Sequence, residues 1–190
     1  MGGAPVEAAR PAGTQDQPPT ARVRISLLEP GDIPELAALL ADSADFHRGW
    51  VSYPTTPDAV SSFAAGAGAN GMLIFAVRCR DDGALAGLMT LCRFSGEPWA
   101  TAEYGCAAGS RHRGHGYLTE ATALLADYAF SELGLHRIEA LVRPDNRASA
   151  RMLARAGFRP EGLARGAVRV DGAWRDHERW ALTAEDGGRR

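Results

Sequence analysis

Apolar side chains alternate at Val23, Ile25 and Leu27, which predicts a β-strand. Pro30-Gly31-Asp32 ends it and leaves Asp32 placed to cap a helix whose apolar face carries Leu36, Leu39 and Leu40. The periodicity lapses over Asp42–Pro57, where Trp, Tyr, His and Pro gather. This predicts a loop suited to a lid or an acceptor wall, and a shorter helix after Pro57 that the glycines of Gly66–Gly71 stop. Met72–Cys79, Leu85–Phe94 and Trp99–Ala108 read as consecutive strands joined by turn residues such as Asp81-Asp82-Gly83, an antiparallel meander.

Helical spacing returns at Leu118, Ala121, Leu125, Tyr128 and Ala129, with Gly134 as its stop. Arg137–Arg143 predicts a strand closed by Pro144, and Asn146–Ala156 a helix ended by Gly157. Two last strands, 158–170 and 174–183, turn at Asp171-Gly172. Together these elements predict an α+β domain, a mostly antiparallel sheet of about seven strands flanked by about four helices.

Composition narrows the class. A chain of 190 residues, 45% apolar and 23% charged, suits one soluble domain, expected over 21–185 between a disordered tail at 1–20 and a short tail at 186–190. A net charge of −2 argues against a bulk electrostatic grip on nucleic acid. Cys79, Cys92 and Cys106 lack paired spacing, so neither disulfides nor a metal site is expected. No leader-like start or bilayer-length apolar run is seen, which makes the cytoplasm the expected location, with no membrane partner. Length and charge leave a homodimer open.

The candidate chemistry centres on Arg111-His112-Arg113-Gly114-His115-Gly116, between a strand and a helix. Two glycines one residue apart allow a tight turn and close approach of backbone to ligand. The first amides of the following helix favour an anion, Arg111 and Arg113 add positive charge, and His115 stands beside them as a further candidate ligand residue. A phosphorylated ligand is the natural occupant. Only half of a dinucleotide fingerprint is present, since Thr119 stands where the third glycine belongs, and no Gly-Lys-Ser/Thr follows for a P-loop.

The run Arg111-x-x-Gly114-x-Gly116-Tyr117-Leu118-Thr119-Glu120-Ala121 is followed by Tyr128-Ala129-Phe130 and Leu135-His136-Arg137-Ile138-Glu139-Ala140. Asn146-x-x-Ser149, Gly157-Phe158-x-x-Glu161-Gly162 and Gly172-x-Trp174-x-Asp176 come after it. In this order they resemble the GNAT superfamily of N-acyltransferases, in the branch acting on the alanine or serine N-termini of ribosomal proteins, from about Arg22 to the end. The resemblance implies a splayed sheet and acetyl-coenzyme A (acetyl-CoA) bound between the strands at 103–108 and 137–143. It places the pyrophosphate on the loop amides of Arg113, Gly114, His115, Gly116, Tyr117 and Leu118, and the pantetheine arm beside Cys106, Ala107 and Ala108, with Asn146 nearby. The implied reaction is acetyl transfer to a primary amine, of a protein N-terminus or a small molecule, by direct attack in a ternary complex. A coenzyme A-binding regulator or an interaction module is the alternative.

An amine must lose a proton to attack a thioester, so a base is needed. Alternation puts Glu103, Gly105 and Ala107 on one face of their strand, making Glu103 the candidate base and the Ala107 amide a candidate oxyanion donor. Where many GNAT enzymes carry a tyrosine acid, this chain has Leu153, which leaves Ser149 as substitute. Cys106 as an acyl carrier is the weaker route, a lone strand cysteine without a base beside it. Trp50, Tyr53 and Trp174 are candidates for the acceptor pocket.

Overall fold

The computed structural model describes residues 17–187. The first alternation becomes β1 (Val23–Leu27), with Val23 and Ile25 buried. Gln17, inside the expected tail, bonds the Ile25 backbone through both side-chain ends at 2.8 and 2.9 Å; residues 1–16 and 188–190 lie outside the description. Then come α1 (Ile33–Asp42), α2 (Ala44–His47) and α3 (Pro57–Ala69). Asp32 does not cap α1 with its side chain. Its carboxylate instead takes the Glu29 amide and the Arg78 guanidinium, the stronger charge-assisted partner. α3 ends at Ala69, inside the Gly66–Gly71 stretch expected to stop it, with Asn70 at its C-terminus and Gly71 in the left-handed position just beyond.

β2 (Leu73–Cys79), β3 (Leu85–Ser95) and β4 (Thr101–Ala108) form the expected meander. α4 (Tyr117–Ser131) crosses over to β5 (Arg137–Val142), and α5 (Arg147–Arg155) leads to the hairpin of β6 (Arg159–Val170) and β7 (Ala173–Thr183). That hairpin turns where Asp171 and Gly172 both take positive φ, and α6 (Ala184–Gly187) follows it. The sheet order is β1-β2-β3-β4-β5-β7-β6. The seven expected strands are present, and the described residues form six α-helices rather than about four, the two extra, α2 and α6, being single turns.

Period-two side chains give the sheet two apolar faces. One packs Phe75, Val77, Met89, Leu91 and Tyr104 against Ala121, Leu125 and Ala129 of α4. The other packs Ala76, Leu88 and Ala107 against Leu36, Leu40 and Val60 of α1 and α3. Truncating a side chain buried like Leu125 costs about 2–5 kcal/mol, and both layers hold in place the central strands that carry the site.

Candidate active site

Among the described residues β4 and β5 are the only parallel neighbours, and they pair through Thr101–Glu103 against Arg137–Glu139. Past Glu103 they diverge. Ala100 accepts from the amides of His136 and Arg137, while the Gly109 amide donates to Ala86 at the start of β3, at 2.8 Å. Backbone groups alternate sides along a strand, so even-numbered residues of β4 face β5 and odd-numbered ones face β3. The Ala107 amide thus points into the β3 ladder, and the amide turned to the gap is that of Cys106. Ala107 contributes a buried side chain to the α1/α3 face.

At the end of β4 the glycine loop turns back. Gly114 (φ 83°) and Gly116 (φ 80°) are both left-handed, where a side chain is strained. Gly116 is the N-cap of α4 and offers no side chain, which leaves the Tyr117, Leu118 and Thr119 amides for a ligand. The loop's own cations are turned elsewhere. Arg111 lies 3.8 Å from Asp42, and Arg113 stacks on the Phe46 ring at 4.7 Å. His115 lies parallel to Tyr117, with ring centroids 5.6 Å apart.

Glu103 sits at the closed end of the gap, ion-paired with Arg93 at 2.9 Å and with its side chain 28% exposed. Asn146 accepts the Ser149 amide at 3.1 Å and caps α5, so its carboxamide oxygen is engaged by its own helix while Ser149 stands half-buried in the first turn. Leu153 is 1% exposed, an apolar core residue at the position where a tyrosine acid would stand.

A cavity of about 560 Å³ opens between the α2–α3 segment and the β6–β7 turn, lined by His47, Trp50, Tyr53, Val168 and Asp171 among others. Trp174 lines a separate cavity of about 390 Å³ with Arg143, Asp145 and Arg175. Arg143 joins the two, since its guanidinium lies over Trp50 at 5.0 Å and donates to the Gly49 carbonyl at 2.8 Å. Two of the three acceptor candidates therefore share one wall, and the third lies next door.

The acetyltransferase (GNAT) domain profile matches residues 22–159. The chain belongs to the GNAT acetyltransferase family. Among solved structures, Mycobacterium smegmatis RimJ in complex with CoA-disulfide is similar with a TM-score of 0.80 at 31% identity, covering 86% of this chain and 83% of its own. The Bacillus subtilis protein named "Probable N-acetyltransferase YjcK" is 42% identical over 112 residues, 59% of this chain and 62% of its own length. Escherichia coli ribosomal protein uS5-alanine N-acetyltransferase is 39% identical over 82 residues, 43% of this chain and 42% of its own. These matches with the curated relatives span less than two thirds of their lengths.

In this GNAT chain the residue that pattern reading undervalued is His47. Its ring is 8% exposed, and Nε2 lies 3.0 Å from the Ala108 carbonyl at the open end of the gap. A carbonyl only accepts, so Nε2 carries the proton and the neutral ring keeps its Nδ1 lone pair. Burial pulls the His47 pKa below its ordinary 6.5, against a smaller opposing pull from Ala108. The unfolded chain then binds this proton more readily than the folded one. The associated stability is complete above about pH 6.5 and is lost as pH falls toward the lowered folded value. His47→Gln, which can still donate to Ala108, should flatten the acid-side fall in melting temperature between about pH 7 and 5. Thermal melts across that range check it, and an unchanged slope rejects His47 as the source. Only its place in an aperiodic, aromatic-rich segment marks the residue in the sequence.

Proposed function

We propose that this chain is an N-acetyltransferase moving the acetyl group of acetyl-CoA to a primary amine by direct attack in a ternary complex. The observation that carries the reading is the gap. Two strands pair over three residues and then part, with a left-handed glycine loop and an uncapped 15-residue helix at the open end. The donor set suits the coenzyme, with amides for the pyrophosphate and unpaired strand backbone for the pantetheine amides. In this reading the Cys106 amide meets the thioester oxygen as it gains charge. The amine nitrogen bonds the carbonyl carbon and passes a proton to Glu103, directly or through water. The C–S bond then breaks and the sulfur leaves as thiolate, with the Ser149 hydroxyl as the candidate that returns a proton to it. Burial pushes the Cys106 thiol up, which keeps it protonated near neutrality and supports direct attack over an acyl-cysteine route.

The name of the uS5-alanine relative favours a protein N-terminus as acceptor, entering the larger cavity past Trp50 and Tyr53. The decisive experiment is an acetyl-CoA turnover screen over peptides beginning with Ala or Ser, polyamines, amino acids and aminoglycosides. Thiol release with peptides supports the reading, whereas thermal stabilisation by coenzyme A without release from any amine class leaves a regulator. Glu103→Gln should lower kcat by about 10- to 100-fold, most strongly below the acceptor amine's pKa, where free amine is scarce. A pH–rate profile of wild-type shape in that variant removes Glu103 from the proton path.

A further inference from the structure

A cation from outside the glycine loop is hydrogen-bonded to it. Arg22, just before β1, reaches 98 residues along the chain: its Nε donates to Glu120 at 3.0 Å and Nη1 to the His115 carbonyl at 3.2 Å. Its backbone amide also donates to Glu120, and its guanidinium lies over the Tyr117 ring at 5.2 Å. Nη2 makes no bond among the described residues and sits 3.5 Å from where a Cβ on Gly116 would stand. The fork is therefore held on two sides while its third corner faces the left-handed turn from which the α4 amides project. Arg111 and Arg113, the cations within the loop, lie toward Asp42 at 3.8 Å and over the Phe46 ring.

We propose that Arg22 is a donor-binding residue whose Nη2 bonds the pyrophosphate of coenzyme A, with Glu120 and the His115 carbonyl orienting it. The assignment rests on the coenzyme A reading of the loop. A planar guanidinium fixed by a carboxylate loses little further freedom on meeting a phosphate oxygen, and charge-assisted bonds of this kind are among the stronger ones. Gly116 keeps that corner open, since any side chain there would stand between guanidinium and ligand.

The test compares two donors, acetyl-CoA and S-acetylpantetheine, which carries the same thioester without phosphates. Arg22→Gln should raise the KM for acetyl-CoA and the Kd for coenzyme A by about tenfold or more, with the KM for S-acetylpantetheine unchanged. Dephospho-coenzyme A, which keeps the pyrophosphate, should lose affinity as coenzyme A does. Arg24→Gln, an exposed cation two residues on, should change neither donor and serves as control. Equal weakening of both donors makes Arg22 a structural tie and overturns the proposal, as does wild-type affinity in Arg22→Gln. Loss confined to coenzyme A, with dephospho-coenzyme A unaffected, also overturns it by moving the contact to the 3′-phosphate. If Arg22→Gln fails to fold, Arg22→Lys should weaken coenzyme A several-fold and spare S-acetylpantetheine, and unaltered affinity again rejects the role. A wild-type chain that coenzyme A does not stabilise sinks the coenzyme reading itself, a result distinct from failure at Arg22 alone.

Discussion

Gly116→Pro is expected to fold and to lose coenzyme A affinity by about 100-fold or more. Proline fixes φ near −65°, whereas Gly116 sits at +80°, so the turn into α4 must rebuild with its first amides aimed elsewhere. The helix itself is anchored by Ala121, Leu125 and Ala129 in the core, which keeps the damage local. Isothermal titration with coenzyme A checks the affinity, and circular dichroism checks the fold. A folded variant with wild-type affinity would reject the loop as the phosphate site.

The second large effect is expected from Cys106→Pro, which removes the one β4 amide assigned to the thioester oxygen. Because that amide faces the gap, no hydrogen bond of the β3 ladder is lost, and proline's missing donor is tolerated in the way an edge strand tolerates it. Loss of one such donor should lower kcat by about 100-fold with a small change in melting temperature. Ala107→Pro is the counter-experiment. It deletes an amide that points into the ladder beside Leu88 and should chiefly destabilise the fold. If both variants lose stability equally and Cys106→Pro retains turnover, the side of the strand has been assigned wrongly.

The alternation at Val23, Ile25 and Leu27, the meander through 72–108, the Asp171-Gly172 turn and the paired glycines were all legible in the sequence. Each is a local matter of backbone preference or a period of two. What stayed hidden depends on segments meeting in space. The α2 turn has no periodicity of its own and is defined by where it lies: the His47 ring reaches Ala108, 61 residues away. Arg22 looks like any charged residue before a strand until the fold brings Glu120 to it. Glu103 is readable as a carboxylate on a strand, yet its pairing with Arg93 follows from the irregular register between Cys92 and Ser95, which turns Arg93 to positive φ. The choice of Cys106 over Ala107 needed the partners of Ala100 and Gly109, because alternation fixes a period but not its phase.

The three-residue pairing of β4 with β5 makes the seven-stranded sheet two blocks, β1–β4 and β5–β7, stitched along a short seam. Under the proposed function, a donor lying along the open stretch of that seam would add hydrogen bonds to strand edges left unpaired among the described residues, so the arm of the coenzyme would act as a strand on loan. Donor binding would then join the two blocks more firmly, and release of the spent thiol would loosen them again.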